Sequence, residues 1–349
     1  MLMPLALVAA VALLPAALPA AAASAPPTRD ITKIATAERG AHASRLLRPL
    51  ATTGAGSFLR DVYPVGKTAG FTVNRARGTL ARYPSATLPY RNLPISIWYP
   101  AAAGAISSAD TFWASARGGH FPLIVFAPGF NSTPESYEPF LHAIAAQGYI
   151  VAAPLFPIEG AISGAAPAGR SNAEMLNQMY DMSAVITQMQ AYANTPGNFL
   201  SWAMNPSLVG IIGHSDGAIT VAGMTMSTSY SDPRIKIAVV MAGAGPGGLT
   251  WNRRKVVPLM IEQATQDPYN APVNSQWLFN HVTGPRAYLT VAGPYHMWPL
   301  VGNDVTADMT RRAVIAHLNG TLKNGGFPSF WQFVIAGNTP GVTSLKFAS

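Results

Sequence analysis

Apolar and polar positions follow two rhythms along this chain. Leu93-Pro94-Ile95-Ser96-Ile97-Trp98-Tyr99 alternates as a strand does. Pro122 to Ala127 is a short unbroken apolar run, the pattern of a strand buried on both faces. Tyr149 to Ala153, Ser207 to Ile212, Ile235 to Met241, Val256 to Glu262 and Ala287 to Val291 continue the series. Helical signals lie between them. Thr133-Pro134-Glu135 supplies a cap, a proline at the first helical position and an acidic first turn, so a helix is predicted from there to Gln147. Ser171-Asn172-Ala173-Glu174 is a capping box. It opens a helix with Met175, Met179, Met182, Ile186 and Met189 on one face, which we read as core rather than as a flexible ligand groove. Ala218 to Met226, Val273 to His281 and Thr306 to Leu322 are further helices. Such alternation predicts an α/β domain, a doubly wound and mostly parallel sheet with helices on both faces.

The two ends of the chain follow other rules. Met1 to Ala25 is almost wholly Ala, Leu, Val and Pro and ends in small residues, the pattern of a secretory signal peptide. A retained membrane anchor is the competing reading, but Pro4, Pro15 and Pro19 interrupt the stretch. Residues 26–65 read as an N-terminal extension, and 66–349 as the main domain. Phe156 to Ala173, rich in Gly, Ala and Pro, reads as a loop bordering a cleft.

Composition narrows the classes of function. Of 349 residues, 11% are charged, against roughly 25% in ordinary soluble domains, and 49% are hydrophobic. That balance excludes disorder for most of the chain. The absence of cysteine excludes a disulfide framework, a thiol nucleophile and a cysteine-linked lipid anchor. The net charge of +8 is diffuse, and its densest stretch is Arg253-Arg254-Lys255. No basic stripe or motif of a nucleic-acid reader is present, so no nucleic-acid partner is expected. The mature chain is expected to be secreted, extracellular or periplasmic, without stable membrane insertion.

The chemistry centres on Gly213-His214-Ser215-Asp216-Gly217. Short motifs recur by chance, and this one draws its weight from its place between a buried strand and a helix. There G-x-S-x-G makes a tight turn that exposes the serine hydroxyl at the helix start. A serine hydroxyl needs a base to take its proton, and the base needs an acid to orient it. In this architecture the partners follow in the order acid, then histidine, each after a later strand. Asp267 follows the strand ending at Glu262; Glu262, within that strand, is the rival acid. His296 follows the next strand in Gly293-Pro294-Tyr295-His296 and is the candidate base. His281 precedes that strand and reads as an exposed helix end; His214 reads as structural. Candidate donors to a developing oxyanion are the backbone N–H groups of Asp216 and of Phe130, the latter in Pro128-Gly129-Phe130.

Ser215, Asp267 and His296, with Pro128-Gly129-Phe130, resemble the α/β-hydrolase superfamily. Leu93 to Pro100, Tyr137 to Pro157 and the Gly-His-Ser-Asp-Gly elbow resemble its secreted bacterial esterases. That branch groups chlorophyllase-like, dienelactone-hydrolase-like and type II platelet-activating-factor-acetylhydrolase-like enzymes, near the cutinases and polyester hydrolases. Two departures stand out. True dienelactone hydrolases use a cysteine nucleophile, and polyester hydrolases usually carry Met where this chain has Asp216. The resemblance implies an α/β-hydrolase fold and carboxylic-ester hydrolysis through an acyl-enzyme. Ser215 is then the nucleophile, His296 the base and Asp267 the orienting acid, in a monomer needing no metal or organic cofactor. The substrate is an ester, as a small molecule, lipid or polymer. Trp251, Tyr295 and Trp298, near predicted strand ends, are candidates for an apolar substrate wall and equally for packing. A polyester or cutin hydrolase with a shallow cleft, and a catalytically silent hydrolase fold used for binding, are the alternatives.

Overall fold

A computed structural model describes residues 61–80, 87–102, 111–112, 116–161, 172–245, 256–323 and 326–349. The signal-like segment, nearly all of the extension, Trp251 and the Arg253-Arg254-Lys255 cluster lie outside these residues.

Strands β1 (Val65–Asn74), β2 (Arg91–Pro100), β3 (Thr111–Phe112), β4 (Phe121–Ala127), β5 (Ile150–Pro154), β6 (Met204–His214), β7 (Ile235–Met241), β8 (Leu259–Ala264), β9 (Arg286–Val291) and β10 (Thr343–Ala348) form one sheet. Its order is β10-β9-β8-β7-β6-β4-β5-β2-β1-β3. From β5 through β4, β6, β7 and β8 to β9 every pairing is parallel. β2 joins β5 antiparallel and β10 joins β9 antiparallel. The central β4 is buried at every position, which is why its sequence reads as an unbroken apolar run.

Helices α1 (Glu138–Ala146), α2 (Asn172–Asn194), α3 (Asp216–Met226), α4 (Pro272–His281), α5 (Trp298–Val301), α6 (Val305–Leu322) and α7 (Gly326–Gly337) flank the sheet. On one face α2, α3 and α4 pack in a cluster that includes Leu123, Val125, Ile211, Val221 and Phe279. The opposite face packs α1, α5 and α6 against Ile124, Phe126, Ile212, Val239 and Leu289. Alternate residues of β4 therefore serve alternate layers, as the two-residue period of a strand requires. Met175, Met179, Met182 and Met189 are buried core on α2.

Three sequence expectations shift at their edges. The helix beginning at Thr133 is a 3-10 turn, Pro134–Tyr137, before α1 starts. The strand expected from Val256 begins at Leu259, because Pro258 has no N–H to give the ladder. The tail past Gly325, for which no motif spoke, supplies α7 and the edge strand β10.

A buried charge cluster ties the antiparallel edge to the helical layer. Arg91 on β2 is fully buried and pairs with Glu174 and, at 2.8 Å, with Asp181, both on α2. Asn74 of β1 donates to the same Asp181 carboxylate at 2.7 Å. Charges out of water survive only when paired and hydrogen-bonded in this way.

Candidate active site

The site is built at the carboxyl ends of the parallel strands. Chain direction reverses between β6 and α3 within one residue, Ser215, which takes φ 56° and ψ −119°. That conformation costs a non-glycine residue about 1–3 kcal/mol. The surroundings hold it. Ser215 donates its N–H to Met241 of β7 at 3.0 Å, and its carbonyl accepts from Ala218 at 3.0 Å and Ile219 at 3.2 Å. Both motif glycines are steric necessities. A Cβ on Gly213 would collide with the Gly217 carbonyl, and one on Gly217 with the Ala127 carbonyl of β4.

His296 lies in the loop after β9, with Nε2 3.1 Å from Ser215 Oγ and Nδ1 2.8 Å from Asp267 Oδ2. Asp267 lies in the loop after β8, and its side chain is fully buried. Its Oδ1 accepts the N–H groups of Tyr269 at 2.8 Å and Asn270 at 2.9 Å, an Asp-initiated turn. Its Oδ2 accepts from Gln263 Nε2 at 3.2 Å as well as from His296. An ionised carboxylate is an acceptor only, so His296 carries its proton on Nδ1 and turns a lone pair at Nε2 toward the Ser215 hydroxyl.

Glu262, the rival acid, stays in β8 with 1% exposure. Burial, reinforced by the charge of Asp267, pushes its carboxyl up to about 8. Its Oε2 has no hydrogen-bond partner among the described residues. His296 thus pairs with Asp267, and burial beside that carboxylate favours the protonated form of Glu262.

The loop after β4 approaches the serine from the other side. Gly129 is close enough that an added Cβ would lie 3.0 Å from Ser215 Cβ. Among the described residues no protein acceptor takes the Phe130 N–H. Asp216 is the first residue of α3 and is buried, so its N–H lies at the positive end of the helix beside the serine. The N-cap of α3 is Ser215 itself, whose side chain makes no capping bond.

The remaining expected residues divide. Tyr295 and Trp298 are 7% and 5% exposed and sit in the hydrophobic cluster shared with α1 and α6. Trp251 lies outside the described residues. His281 is an exposed helix end stacked on Trp277. His214 is buried, with Nδ1 2.9 Å from the Tyr137 hydroxyl and Nε2 2.9 Å from the His296 carbonyl.

Sequence reasoning missed Tyr269, a residue 38% exposed whose ring lies 5.0 Å from that of His296. It also missed Gln263 and Asn270, which brace the Asp267 loop. Asn270 Nδ2 donates to the Ala242 carbonyl and its own carbonyl accepts from Gln263 at 3.1 Å. Asp267-Pro268, a turn-initiating pair, was the available signal. Among the described residues no cluster of His, Asp and Glu is arranged to hold a metal ion.

Solved structures share this architecture at low sequence identity. A ferulic acid esterase from Streptomyces cinnamoneus superposes with a TM-score of 0.64 at 16% identity, over 84% of this chain and 98% of that one. The fold is that of the α/β-hydrolases. In all, 855 chains of solved structures match. No protein-family model and no curated protein matches the sequence. Ser215, Asp267 and His296 lie together at the carboxyl ends of the parallel strands of this fold, in one chain of hydrogen bonds. Among the described residues no helix is long and apolar enough to cross a membrane.

Proposed function

We propose that this α/β-hydrolase is an exported serine hydrolase that cleaves carboxylic esters through an acyl-enzyme. The observation that carries the reading is the chain of contacts from Ser215 Oγ to His296, 3.1 Å, and from His296 to Asp267, 2.8 Å. Ser215 attacks the ester carbonyl while His296 Nε2 takes its proton. Asp267 keeps the ring in its Nδ1–H form and stabilises the imidazolium that results. The N–H groups of Phe130 and Asp216 receive the negative charge that grows on the carbonyl oxygen. His296 then protonates the leaving alcohol, and water repeats the sequence on the acyl-enzyme to release acid and regenerate Ser215.

Two further observations support this assignment. The strained Ser215 backbone is maintained by hydrogen bonds to β7 and to the first turn of α3, an expense without purpose in a passive fold. The solved neighbour named a ferulic acid esterase acts on the same class of bond. We extend to this chain the ester bond and not the acyl group, and propose small or lipid-like esters as substrates. The apolar N-terminal segment supports export.

The test is turnover of p-nitrophenyl esters of rising chain length, of methyl ferulate and of a polyester film by the wild type and Ser215→Ala. The wild type is expected to cleave soluble esters, and Ser215→Ala to lose about 10⁴-fold or more in kcat. An organophosphonate is expected to label Ser215, located by peptide mass. Undiminished turnover in Ser215→Ala rejects the mechanism. Faster release from the film than from soluble esters moves the substrate class to polymers.

A further inference from the structure

A second set of hydrogen bonds runs behind the reacting groups and joins the two loops they depend on. The Gly129 N–H donates to the Tyr137 hydroxyl at 3.0 Å, and that hydroxyl lies 2.9 Å from His214 Nδ1. His214 Nε2 lies 2.9 Å from the backbone carbonyl of His296. Chemistry fixes the direction of each bond. A carbonyl only accepts, so His214 donates from Nε2. The neutral ring then has a lone pair on Nδ1, and only the Tyr137 proton can fill it. Tyr137, its single proton committed, accepts from Gly129. The run is one-way: Gly129 to Tyr137 to His214 to His296.

Ser132 completes the hold on Gly129, donating to its carbonyl at 2.7 Å and lying 3.2 Å from the Tyr137 hydroxyl. The Gly129 carbonyl and the Phe130 N–H belong to one trans peptide and point in opposite directions. Anchoring the carbonyl therefore fixes where the Phe130 N–H aims.

We propose that Tyr137 and His214, seconded by Ser132, are positioning residues that hold the Phe130 oxyanion donor and the His296 base in one register. This deepens the esterase reading and rests on it. The three side chains belong to residues with at most 1% exposure, so solvent has no access to replace a lost partner. The His214 ring lies 4.7 Å from that of His296. A positive charge on it would oppose the imidazolium formed during turnover. Burial, with the neighbouring His296, keeps His214 well below the ordinary histidine range, so it stays neutral while His296 cycles.

Tyr137→Phe keeps the ring and deletes the hydroxyl. Its kcat is expected to fall about 10- to 100-fold, less than loss of an oxyanion donor itself, with KM within about twofold. Affinity for a boronic-acid transition-state analogue is expected to fall by the same factor as kcat/KM. His214→Gln retains an N–H for the His296 carbonyl and is expected to lose less activity than His214→Phe. Nitrogen-15 NMR of the His214 ring is expected to show the Nε2–H tautomer throughout about pH 5 to 9, in the wild type and in Ser215→Ala alike.

A folded Tyr137→Phe with wild-type kcat overturns the proposal, as does a His214 ring that titrates in that window or protonates on Nδ1. If Tyr137→Phe does not fold, Ser132→Ala, with an expected loss of about three- to tenfold in kcat, takes its place beside the NMR. The NMR needs no turnover. A Ser215→Ala enzyme that keeps its activity therefore rejects the esterase reading, while the ring signals judge the bridge separately.

Discussion

Strand β8 and the loop that leaves it carry two buried carboxylates five positions apart, and the protein treats them oppositely. In the loop, Asp267 accepts hydrogen bonds from Tyr269, Asn270, Gln263 and His296, the full complement of a carboxylate. In the strand, Glu262 has an unpartnered oxygen among the described residues and is pushed up to about 8. Burial is common to both, so burial does not make the difference. A turn can aim its own N–H groups at a side chain, whereas a strand has already spent them on its neighbours. The charged partner of a base is therefore easier to build just past a strand than within it.

Four substitutions test that contrast, in falling order of expected effect. Asp267→Asn keeps the shape but removes the charge and the demand for an Nδ1–H tautomer. Its kcat is expected to drop about 10⁴-fold, measured on a soluble ester. Should Glu262 be the working acid instead, that variant would stay active.

Glu262→Gln is expected to change stability and leave kcat within about threefold of the wild type. An ordinary glutamate sits near 4.5 and this one at about 8. Between those values the folded chain keeps a proton that the unfolded chain gives up, so the wild type loses stability as pH rises through that window. Glutamine has no proton to lose. Its gain over the wild type is expected to grow across the window and level off above it, on the order of a few kcal/mol, read from urea midpoints against pH.

Gln263→Ala removes one donor from Asp267 and opens the loop brace. It is expected to cost about tenfold in kcat, equivalent to about 1.4 kcal/mol, a typical value for a bond to a charged group. Tyr269→Ala uncovers His296 on its solvent side, and a change of about two- to threefold in kcat/KM is expected. A larger effect for Tyr269 than for Gln263, in the same ester assay, would place the support of His296 in ring contact rather than in the turn.

Sequence made much of this legible, for physical reasons that differ by residue. The apolar runs of β4, β6 and β7 announce a sheet buried on both faces. Ser215 stands out because only glycine fits at 213 and 217 around so sharp a turn. His296 stands out because it follows β9, the next strand after the one that leads to Asp267. A place in the loop past the strand favours Asp267 over Glu262, but the donors that hold Asp267 are not legible, because periodicity tells which face a side chain takes, not which N–H groups a turn will offer it. The bridge of Tyr137 and His214 left no local mark, since its partners lie 77 residues apart. Tyr295 and Trp298 show the same limit from the other side. Their positions near strand ends marked them as wall candidates, yet their rings fill the core. The tail offered no chemistry to read, and among the described residues its strand pairs only with β9.

The pairing of β2 bears on how the chain is made. β1 and β2 lie next to each other in sequence and zip together as a hairpin, but the other edge of β2 belongs to β5. A ribosome releases Ile95 to Trp98 well before Val151 to Pro154 exist to pair with that edge. Until β5 is made, that edge of β2 has no strand to pair with, the kind of edge that associates with its own copies. Slow production at low temperature, or a chaperone engaged early in translation, is the remedy the topology itself prescribes for obtaining this molecule in soluble form.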